Sequence, residues 1–561
     1  MRSLAADCRA QDVALREARL DVWIGAEPTF TDRTSQEPPW VREAEGPGKR
    51  ERAEALLRAL VPRLAAAARL LAPPGRAFPG EAAPRFCLGA LYRPLGEGEA
   101  PARAGALEPA GERPAPGPGE RWLAVTPDPG VVEVNLAPAP DLATFAVHAR
   151  AAYAAAEEVG LSPLRFRWNG EATDSGGGGQ LTLGGPTPEA SPFFRHARLL
   201  PALVRYLNRH PALSYAFAGD CVGSASQGPR PDEGVRELFE ELSVALDRLA
   251  LQREVPSPAE LWEALAPLLV DASGNPHRTE LNVEKLWNPL LPGRGRLGVV
   301  ELRALRMPAT PERLVAHAAL FRAVAARLAS APFEDSLLDF GPELHDRLAL
   351  PFYLAQDLVG VLADLEAAGF GLGPALAAEL LAPPPAIARV KLAGAELVLT
   401  PAPDFWPLVG DVASQERAAA RTVDASSQRV QVLVHAPEGL CPGQLAANGI
   451  EVPLERVSGG THLAAVRYRA FAPSPGLHPG LAPQDPLVLA WERGGEALRV
   501  ELHAWRPGGG AYLGLPADAA EAERRRRERV VVRPARPRPA RPAPRGRLTL
   551  DLRRLPGALP A

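Results

Sequence analysis

The apolar residues of the first half of the chain recur at the spacing of helices, and short alternating strands lie between the helical stretches. Residues 49–71 have the clearest helical period, since Ala53, Leu56 and Leu60 fall on one face. Pro62 inside this stretch is expected to kink or break the helix. Further helices are predicted at 141–159, 196–209, 234–251, 258–269, 311–331, 343–369 and 374–381. Helices mixed in this irregular order with short strands indicate an α+β fold with an antiparallel sheet.

The pattern changes at about residue 389, where short apolar runs separated by turn residues replace the helices. Runs such as 430–434 and 487–489 are typical of a small all-β domain, most simply a β-sandwich. The predicted units are a first domain (15–388) that contains a Pro-, Gly-, Ala- and Glu-rich linker (94–120), a β-sandwich (389–515), a disordered or extended Arg/Pro-rich tail (516–547) and a returning edge strand (548–554).

Composition and cysteine usage are those of a soluble globular protein. The 561 residues are 46% hydrophobic and 23% charged, and this length predicts about two to four domains. The four cysteines (Cys8, Cys87, Cys221 and Cys441) lack the spacing of a zinc site or a disulfide framework, which fits a reducing compartment. No run approaches the roughly 18 apolar residues of a membrane span, and the N-terminus has no apolar signal core. We therefore expect a cytoplasmic protein without a membrane segment.

Basic residues are unevenly distributed, and almost all of them are arginine. Only three of the 63 basic residues are lysines, which is typical of the codon usage of a GC-rich genome. The segment 524–547 contains eleven arginines and one acid and so carries +10; since the net charge is −3, the rest of the chain carries −13. An acidic body with a basic tail is not the charge pattern of a nucleic-acid-binding domain.

Residues 126–135 predict a rigid turn followed by a strand with two oxygen-bearing side chains. Pro127, Pro129 and Gly130 favour the turn. The alternation that follows places Glu133 and Asn135 on one face of the strand. A carboxylate and an amide oxygen side by side suit Mg²⁺. The alternative interpretation is an exposed polar strand face.

Three other segments carry similar groups. Glu27 is a single carboxylate on an early strand, and a later strand places Glu301 and Arg303 on one face. A glycine loop at 176–179 precedes a strand that begins near Gln180. Together these strands indicate a cleft on a sheet for metal ions and phosphates, which favours ATP-dependent chemistry over hydrolysis. The alternatives are a structural ion pair for Glu301 and Arg303 and an ordinary flexible turn for the glycines.

A further polar cluster lies at 271–282, and its Gly-Asn-Pro sequence is predicted to begin a turn. Arg278 is a candidate for binding phosphate or a substrate carboxylate, and Glu280 is a candidate base or metal ligand. His277 is either a functional contact or a residue that stabilises the turn.

In their order along the chain, these motifs resemble a bacterial family of amidoligases that are usually fused to, or encoded with, a transglutaminase-like domain. The segments that carry the resemblance are 25–30, 125–138, 176–185, 271–288, 298–308, 345–369 and the β-rich end through 479. The resemblance implies a glutamine-synthetase-like carboxylate–amine ligase fold, in which helices pack on an antiparallel sheet.

The same resemblance implies that ATP and Mg²⁺ are used to join a carboxylate to an amine through an acyl phosphate, on a peptide or small amino-acid substrate. On this template Arg303 stabilises the moving phosphoryl group, and Arg278 and Glu280 are further catalytic residues. Substrate binding is assigned to Arg230, which lies in another motif of the family, and to His277. The implied Mg²⁺ ligands are Glu27, Glu133, Asn135 and Glu301, and the implied nucleotide contacts are Gly176, Gly177, Gly178, Gly179 and Gln180.

The chain departs from the family at two points. Gln180 stands where members usually have the histidine of an Asn-His pair, and the interval at 94–120 is far shorter than usual. These departures favour an alternative function, in which the protein is a catalytically degenerate binding or scaffold protein that partners a transglutaminase-like protein.

Overall fold

A computed structural model describes residues 2–32, 49–71, 85–88, 122–128, 131–136, 138–252, 254–291, 295–410, 422–472, 477–478, 480–544 and 546–555. The predicted linker at 94–120 and the turn residues Pro129 and Gly130 lie outside the described residues. Among the described residues, no helix is both long enough and apolar enough to cross a membrane.

The helices of the described residues lie mostly in the first domain. They are α1 (Arg2–Glu17), α2 (Lys49–Leu71), α3 (Leu142–Glu158), α4 (Pro192–Arg195), α5 (Leu199–Arg209), α6 (Pro211–Tyr215), α7 (Arg236–Leu251), α8 (Pro258–Leu265), α9 (Glu284–Trp287), α10 (Pro311–Ser330), α11 (Pro351–Ala367), α12 (Pro374–Leu381) and α13 (Ala519–Glu528).

Ten strands precede α10. They are β1 (Trp23–Asp32), β2 (Arg85–Leu88), β3 (Trp122–Asp128), β4 (Val131–Asn135), β5 (Leu161–Ser162), β6 (Leu164–Phe166), β7 (Ala172–Asp174), β8 (Gly179–Gly184), β9 (Leu281–Asn282) and β10 (Val300–Leu302). Eight of them form one sheet in the order β2-β3-β4-β1-β8-β10-β9, with β5 paired to β1, and β6 and β7 form a separate hairpin. Every pair in the large sheet is antiparallel except β2 with β3. The protein is therefore α+β.

One face of the large sheet packs on helices because its strands alternate apolar and polar residues. Ile24 of β1 lies opposite Leu183 of β8, which in turn lies opposite Val300 of β10. All three are fully buried in one apolar cluster with Phe145 of α3 and Phe321 of α10. The alternate residues of the same strands consequently point to the opposite face, which carries the polar groups.

Prolines affect two of the predicted helices, and one of these predictions is corrected. α2 does not end at Pro62 but continues to Leu71, because tertiary burial of Leu56 and Leu60 stabilises a helix that lacks one backbone hydrogen bond. The single helix predicted at 343–369 is instead a π-helical segment (Leu344–Leu348) followed by α11. α11 begins at Pro351 because proline is tolerated in the first turn and not inside a helix.

In the described part of the C-terminal half there are two large sheets and one two-stranded sheet. The remaining strands are β11 (Ala388–Leu392), β12 (Ala395–Ala402), β13 (Leu408–Gly410), β14 (Thr422–Val423), β15 (Ser427–His435), β16 (Gln444–Ala447), β17 (Ile450–Glu451), β18 (Glu455–Ser458), β19 (Thr461–Arg469), β20 (Leu487–Arg493), β21 (Glu496–Leu502), β22 (Val530–Ala535) and β23 (Thr549–Asp551). One sheet has the order β11-β12-β15-β19-β18 with β23 on β19, and the other has the order β17-β16-β20-β21-β22. Leu399 and Val432 of the first sheet share one apolar cluster with Trp491 and Val500 of the second.

The segment predicted as a disordered or extended Arg/Pro tail is partly ordered, which corrects that prediction. It contains α13, and β22 pairs with β21 from Ala497 to Leu502. Asp518 caps α13, and Arg525 and Arg529 are buried. These arginines are ordered because their side chains donate hydrogen bonds to carbonyl and carboxylate oxygens elsewhere in the protein. Composition alone does not indicate such long-range contacts.

Candidate active site

The polar face of the large sheet brings together acids that lie far apart in the chain. In the antiparallel register Glu27 lies opposite Gln180, and Thr29, two residues further along β1, lies opposite Glu133. Residues directly opposite each other project from the same face, as do residues two apart in one strand. Glu27, Gln180 and Glu133 therefore share one face.

Glu301 belongs to this face as well. It lies opposite Thr182 of β8, which is two residues beyond Gln180, and opposite Asn282 of β9. The predicted strands thus place these side chains on one face of the sheet.

A lysine that the sequence analysis did not select lies among these acids. The Nζ atom of Lys285, in α9, is 3.3 Å from Glu27 Oε1 and 3.5 Å from Glu301 Oε2. The charge of Glu27 is the main cause that raises the pKa of Lys285, and the charges of Glu301 and Glu133 also raise it. In the sequence, the one indication of its role was the rarity of lysine in a chain whose basic residues are almost all arginine.

Arg303 contributes the second cation. Its Nη1 donates to Glu301 Oε1, and the Glu301 side chain is only 3% exposed. Burial alone would raise the pKa of Glu301, but Lys285 and Arg303 together lower it below its ordinary value. Glu301 is therefore held as a carboxylate between two cations. For Glu27, burial outweighs the attraction of Lys285 and raises its pKa.

Glu133 and Asn135 lie side by side on β4 as predicted from their alternation. The Asn135 Nδ2 atom donates to Glu133 Oε1 over 2.8 Å. The Asn135 amide therefore directs its N–H group towards Glu133. Its oxygen and the Glu133 carboxylate do not face one common point.

The residues that the resemblance assigns to Mg²⁺ are Glu27, Glu133, Asn135 and Glu301. Oxygen donors suit Mg²⁺, but they must lie about 2.0–2.1 Å from it in near-octahedral geometry. Lys285 lies between Glu27 and Glu301 instead, and within the described residues no group of three or more His, Cys, Asp or Glu is placed to hold a metal ion. The arrangement of Glu27, Glu133, Asn135 and Glu301 therefore does not fit a directly bound Mg²⁺.

The glycine loop has its amides already bonded within the protein. The N–H of Gly176 donates to Asp174 Oδ1, that of Gly177 to Ser175 Oγ, and that of Gly179 to Leu305 O. A phosphate cradle requires free backbone N–H groups. These three hydrogen bonds argue against the predicted role of Gly176, Gly177 and Gly179 in binding nucleotide.

Close packing and backbone conformation account for the glycines. Gly176 and Gly178 have φ angles of 98° and 87°, which favour glycine. A Cβ on Gly179 would lie 2.7 Å from the carbonyl oxygen of Arg306. Thr29 Oγ1 also donates to Gly178 O over 2.6 Å, so the loop anchors β1 and the segment after β10. Gln180 is buried at the start of β8.

Arg230 is a structural residue, which corrects its assignment to substrate binding. It is fully buried, and its guanidinium donates to both carboxylate oxygens of Asp232, to the carbonyls of Leu207 and Asn208, and to Ser214 Oγ. These five bonds use the five donors of an arginine. None remains for a substrate carboxylate.

Glu280 is buried beside this arginine. Ser214 donates its hydroxyl to Glu280 Oε2, and the backbone oxygen of Glu280 accepts the Arg303 N–H over 2.9 Å. Burial raises the pKa of Glu280 to about 7, although Arg230 and Ser214 oppose the rise. The backbone pairing places Glu280 directly opposite Arg303, at the edge of the acidic face.

The other two predicted residues lie on the surface turn that precedes β9. His277 is exposed, and its Nε2 is 3.1 Å from Glu284 Oε2. The Asn275 side chain accepts the His277 backbone N–H, which supports a role in the turn. Arg278 is half-buried beside it, and its binding of phosphate or a carboxylate stays a prediction.

The fold and the site together define an α+β protein whose sheet presents carboxylates and cations on one face. The family model described as "Putative amidoligase enzyme (DUF2126)" matches residues 2–100 and 106–553, and the chain belongs to this family. No curated protein matches the chain.

Among solved structures, 18 chains match. One is the structure "GmaS/ADP complex-Conformation 1", which is 15% identical, with 67% of this chain and 72% of that chain covered and a TM-score of 0.29. These values describe a distant similarity.

Proposed function

We propose that this protein is an ATP-dependent carboxylate–amine ligase that forms an amide bond on an amino-acid or peptide substrate, as part of the amidoligase family. The observation that carries the proposal is the sheet face on which Lys285 and Arg303 lie among Glu27, Glu133 and Glu301. Cations held in place by buried acids are suited to bind and stabilise transferring phosphoryl groups.

The reaction has two steps. The γ-phosphorus of ATP, which enters as its Mg²⁺ complex, bonds to a substrate carboxylate oxygen while its bond to the ADP oxygen breaks. The amine nitrogen then attacks the carbonyl carbon of the acyl phosphate, and inorganic phosphate leaves. An incoming ammonium must first release a proton to a base, because only the neutral amine has the lone pair that attacks the carbonyl carbon.

Arg303 is the residue proposed to stabilise the phosphoryl group. Its side chain is partly exposed and anchored at Nη1 by Glu301. Within the described residues its Nε–H is buried and has no hydrogen-bond partner. A buried donor without a partner is costly, so an incoming phosphoryl oxygen that accepted this N–H would be stabilised.

Glu280 is proposed as the base. A catalytic base works best when its pKa lies near the pH of the reaction, and burial raises the pKa of Glu280 to about 7. Its backbone oxygen accepts the Arg303 N–H, and the two residues adjoin the neighbouring strands β9 and β10, which supports a shared role.

Nucleotide binding tests the proposal. Mg·ATP at about 100 times its Kd is expected to stabilise the folded protein by roughly 2.7 kcal/mol, measured by chemical denaturation with and without nucleotide. Arg303→Gln is expected to lose this stabilisation, whereas Arg389→Gln, on β11 of the C-terminal half, keeps it. ADP release that requires both a carboxylate and ammonium, assayed over a panel of amino acids, would then establish ligation.

The glycine loop favours a second candidate, a degenerate protein that binds a transglutaminase-like partner. Most of the loop amides are bonded within the protein, and Gln180 replaces the histidine of the family. This candidate predicts no stabilisation by Mg·ATP, together with co-purification of the partner. Stabilisation that depends on Arg303 would exclude it.

A further inference from the structure

Lys285 occupies the space in which a metal ion bridging Glu27 and Glu301 would lie. We infer that Lys285 is a resident cation that replaces a divalent ion on this sheet face, so that the protein without nucleotide excludes free divalent metal from the acidic cluster. The inference concerns the same site as the proposed ligase, but it requires neither nucleotide nor turnover.

The distances support the replacement. Nζ of Lys285 lies 3.3 Å from Glu27 and 3.5 Å from Glu301, so one ammonium contacts two carboxylates from different strands. A bridging Mg²⁺ would lie about 2.0–2.1 Å from the same oxygens. The ammonium and the ion would therefore occupy the same space and repel each other, and only one of them can be present.

The charges support it as well. The cluster contains three carboxylates, Glu27, Glu133 and Glu301, and two cations, Lys285 and Arg303, which leaves a net charge of −1. Without the lysine the same groups carry −2, the charge that a divalent ion neutralises. The side chains of Glu27 and Glu301 are only 13% and 3% exposed. If the lysine were removed, water would therefore solvate their charges poorly.

The choice of lysine over arginine fits this role. The chain uses arginine almost everywhere, and only three of its 63 basic residues are lysines. An ammonium is a compact point charge, comparable to a metal ion, whereas a guanidinium is a wide planar fork. A compact cation fits between the carboxylates of Glu27 and Glu301, which lie on the two strands that flank β8.

The test measures binding of Mn²⁺ alone, as a paramagnetic probe for divalent ions, from the decrease of the free-ion EPR signal. Wild-type protein is expected to bind Mn²⁺ weakly, and Lys285→Met is expected to bind one ion per chain at least about tenfold more tightly. The gain should disappear in the double variant Lys285→Met/Glu27→Gln. Lys391→Met is the matched control, since Lys391 is an exposed lysine on β11, and it should behave as wild type.

Two results would overturn the inference: tight Mn²⁺ binding by wild-type protein, or no gain in Lys285→Met that circular dichroism shows to be folded. Should Lys285→Met not fold, Lys285→Gln, which keeps a polar side chain against Glu27, carries the same expectation. Failure of the ligase assay would leave these outcomes unchanged, whereas a Mn²⁺-binding wild type would contradict the resident cation and not the ligase.

Discussion

At the residue scale, burial decides which predicted polar groups are available for chemistry. Arg230 and Glu280 were both candidates from their sequence context, and both are buried beside Ser214. Arg230 has its donors saturated, whereas Glu280 retains a carboxyl group with a raised pKa of about 7. A stability measurement can detect this shift directly.

Glu280→Gln is expected to make the protein more stable at about pH 8. The folded state keeps the Glu280 proton up to a pKa of about 7, above the ordinary value of 4.5. The native state therefore binds more protons between these values, and stability falls as the pH rises through this window. The loss of folding stability caused by ionising Glu280 is absent below about pH 4.5 and complete above about pH 7. It amounts to at most about 3 kcal/mol.

Urea denaturation at about pH 8 and about pH 5 measures this difference. The advantage of Glu280→Gln should shrink at the lower pH, because the wild-type carboxyl is then largely protonated in the native state. Glu263→Gln, at an exposed position of α8, is the control and should change little at either pH. An equal effect of Glu280→Gln at both pH values would show that the raised pKa is not its cause.

At the element scale, α13 fastens the hairpin that leads into the glycine loop. Arg525 Nη1 donates to Trp168 O over 2.7 Å, and Arg529 pairs with Glu171 over 2.9 Å. Arg526 also donates to Gly170 O, so three arginines bind the turn between β6 and β7. The basic segment thus binds the hairpin that precedes the glycine loop and is not a free arm.

Arg529→Ala is expected to destabilise the protein by about 2–4 kcal/mol, because it leaves Glu171 without its closest cation. Hydrogen exchange should rise most at residues 164–174, and chemical denaturation gives the total cost. Arg527→Ala, two residues earlier and in α13, is the control: its side chain is 79% exposed and its hydrogen bond is to Glu523, so the expected change is within about 0.5 kcal/mol. Equal effects of the two variants would contradict the fastening role.

At the scale of the whole molecule, the C-terminal strand connects the β-rich half to the first domain. Both Asp346 carboxylate oxygens, in the π-helical segment, accept backbone N–H groups, from Leu548 and from Thr549, each over 2.9 Å. Thr549 begins β23, which pairs with β19 in parallel. The last strand therefore bridges the two halves.

Asp346→Ala is expected to cost about 2–3 kcal/mol, since two charge-assisted hydrogen bonds are lost and two backbone donors are left without their acceptors. Calorimetry measures the shift in Tm and whether the two halves still unfold together. Glu343→Ala is the nearby control, because its side chain is 62% exposed and pairs only at the surface with Arg347. An Asp346→Ala protein as stable as this control would refute the bridge.

Local pattern alone determined most of the helices, the strands that carry Glu27, Glu133, Gln180 and Glu301, and the shared faces of Glu133 with Asn135 and of Glu301 with Arg303, because side-chain direction follows the period of the backbone. Tertiary structure decided the register that sets Glu27 opposite Gln180, the insertion of Lys285 between Glu27 and Glu301, and the ordering of the arginine-rich segment. These features depend on pairing and burial between residues that are mostly far apart in the chain. The local spacing of apolar and polar residues does not specify which distant charged residue will pair with a buried group.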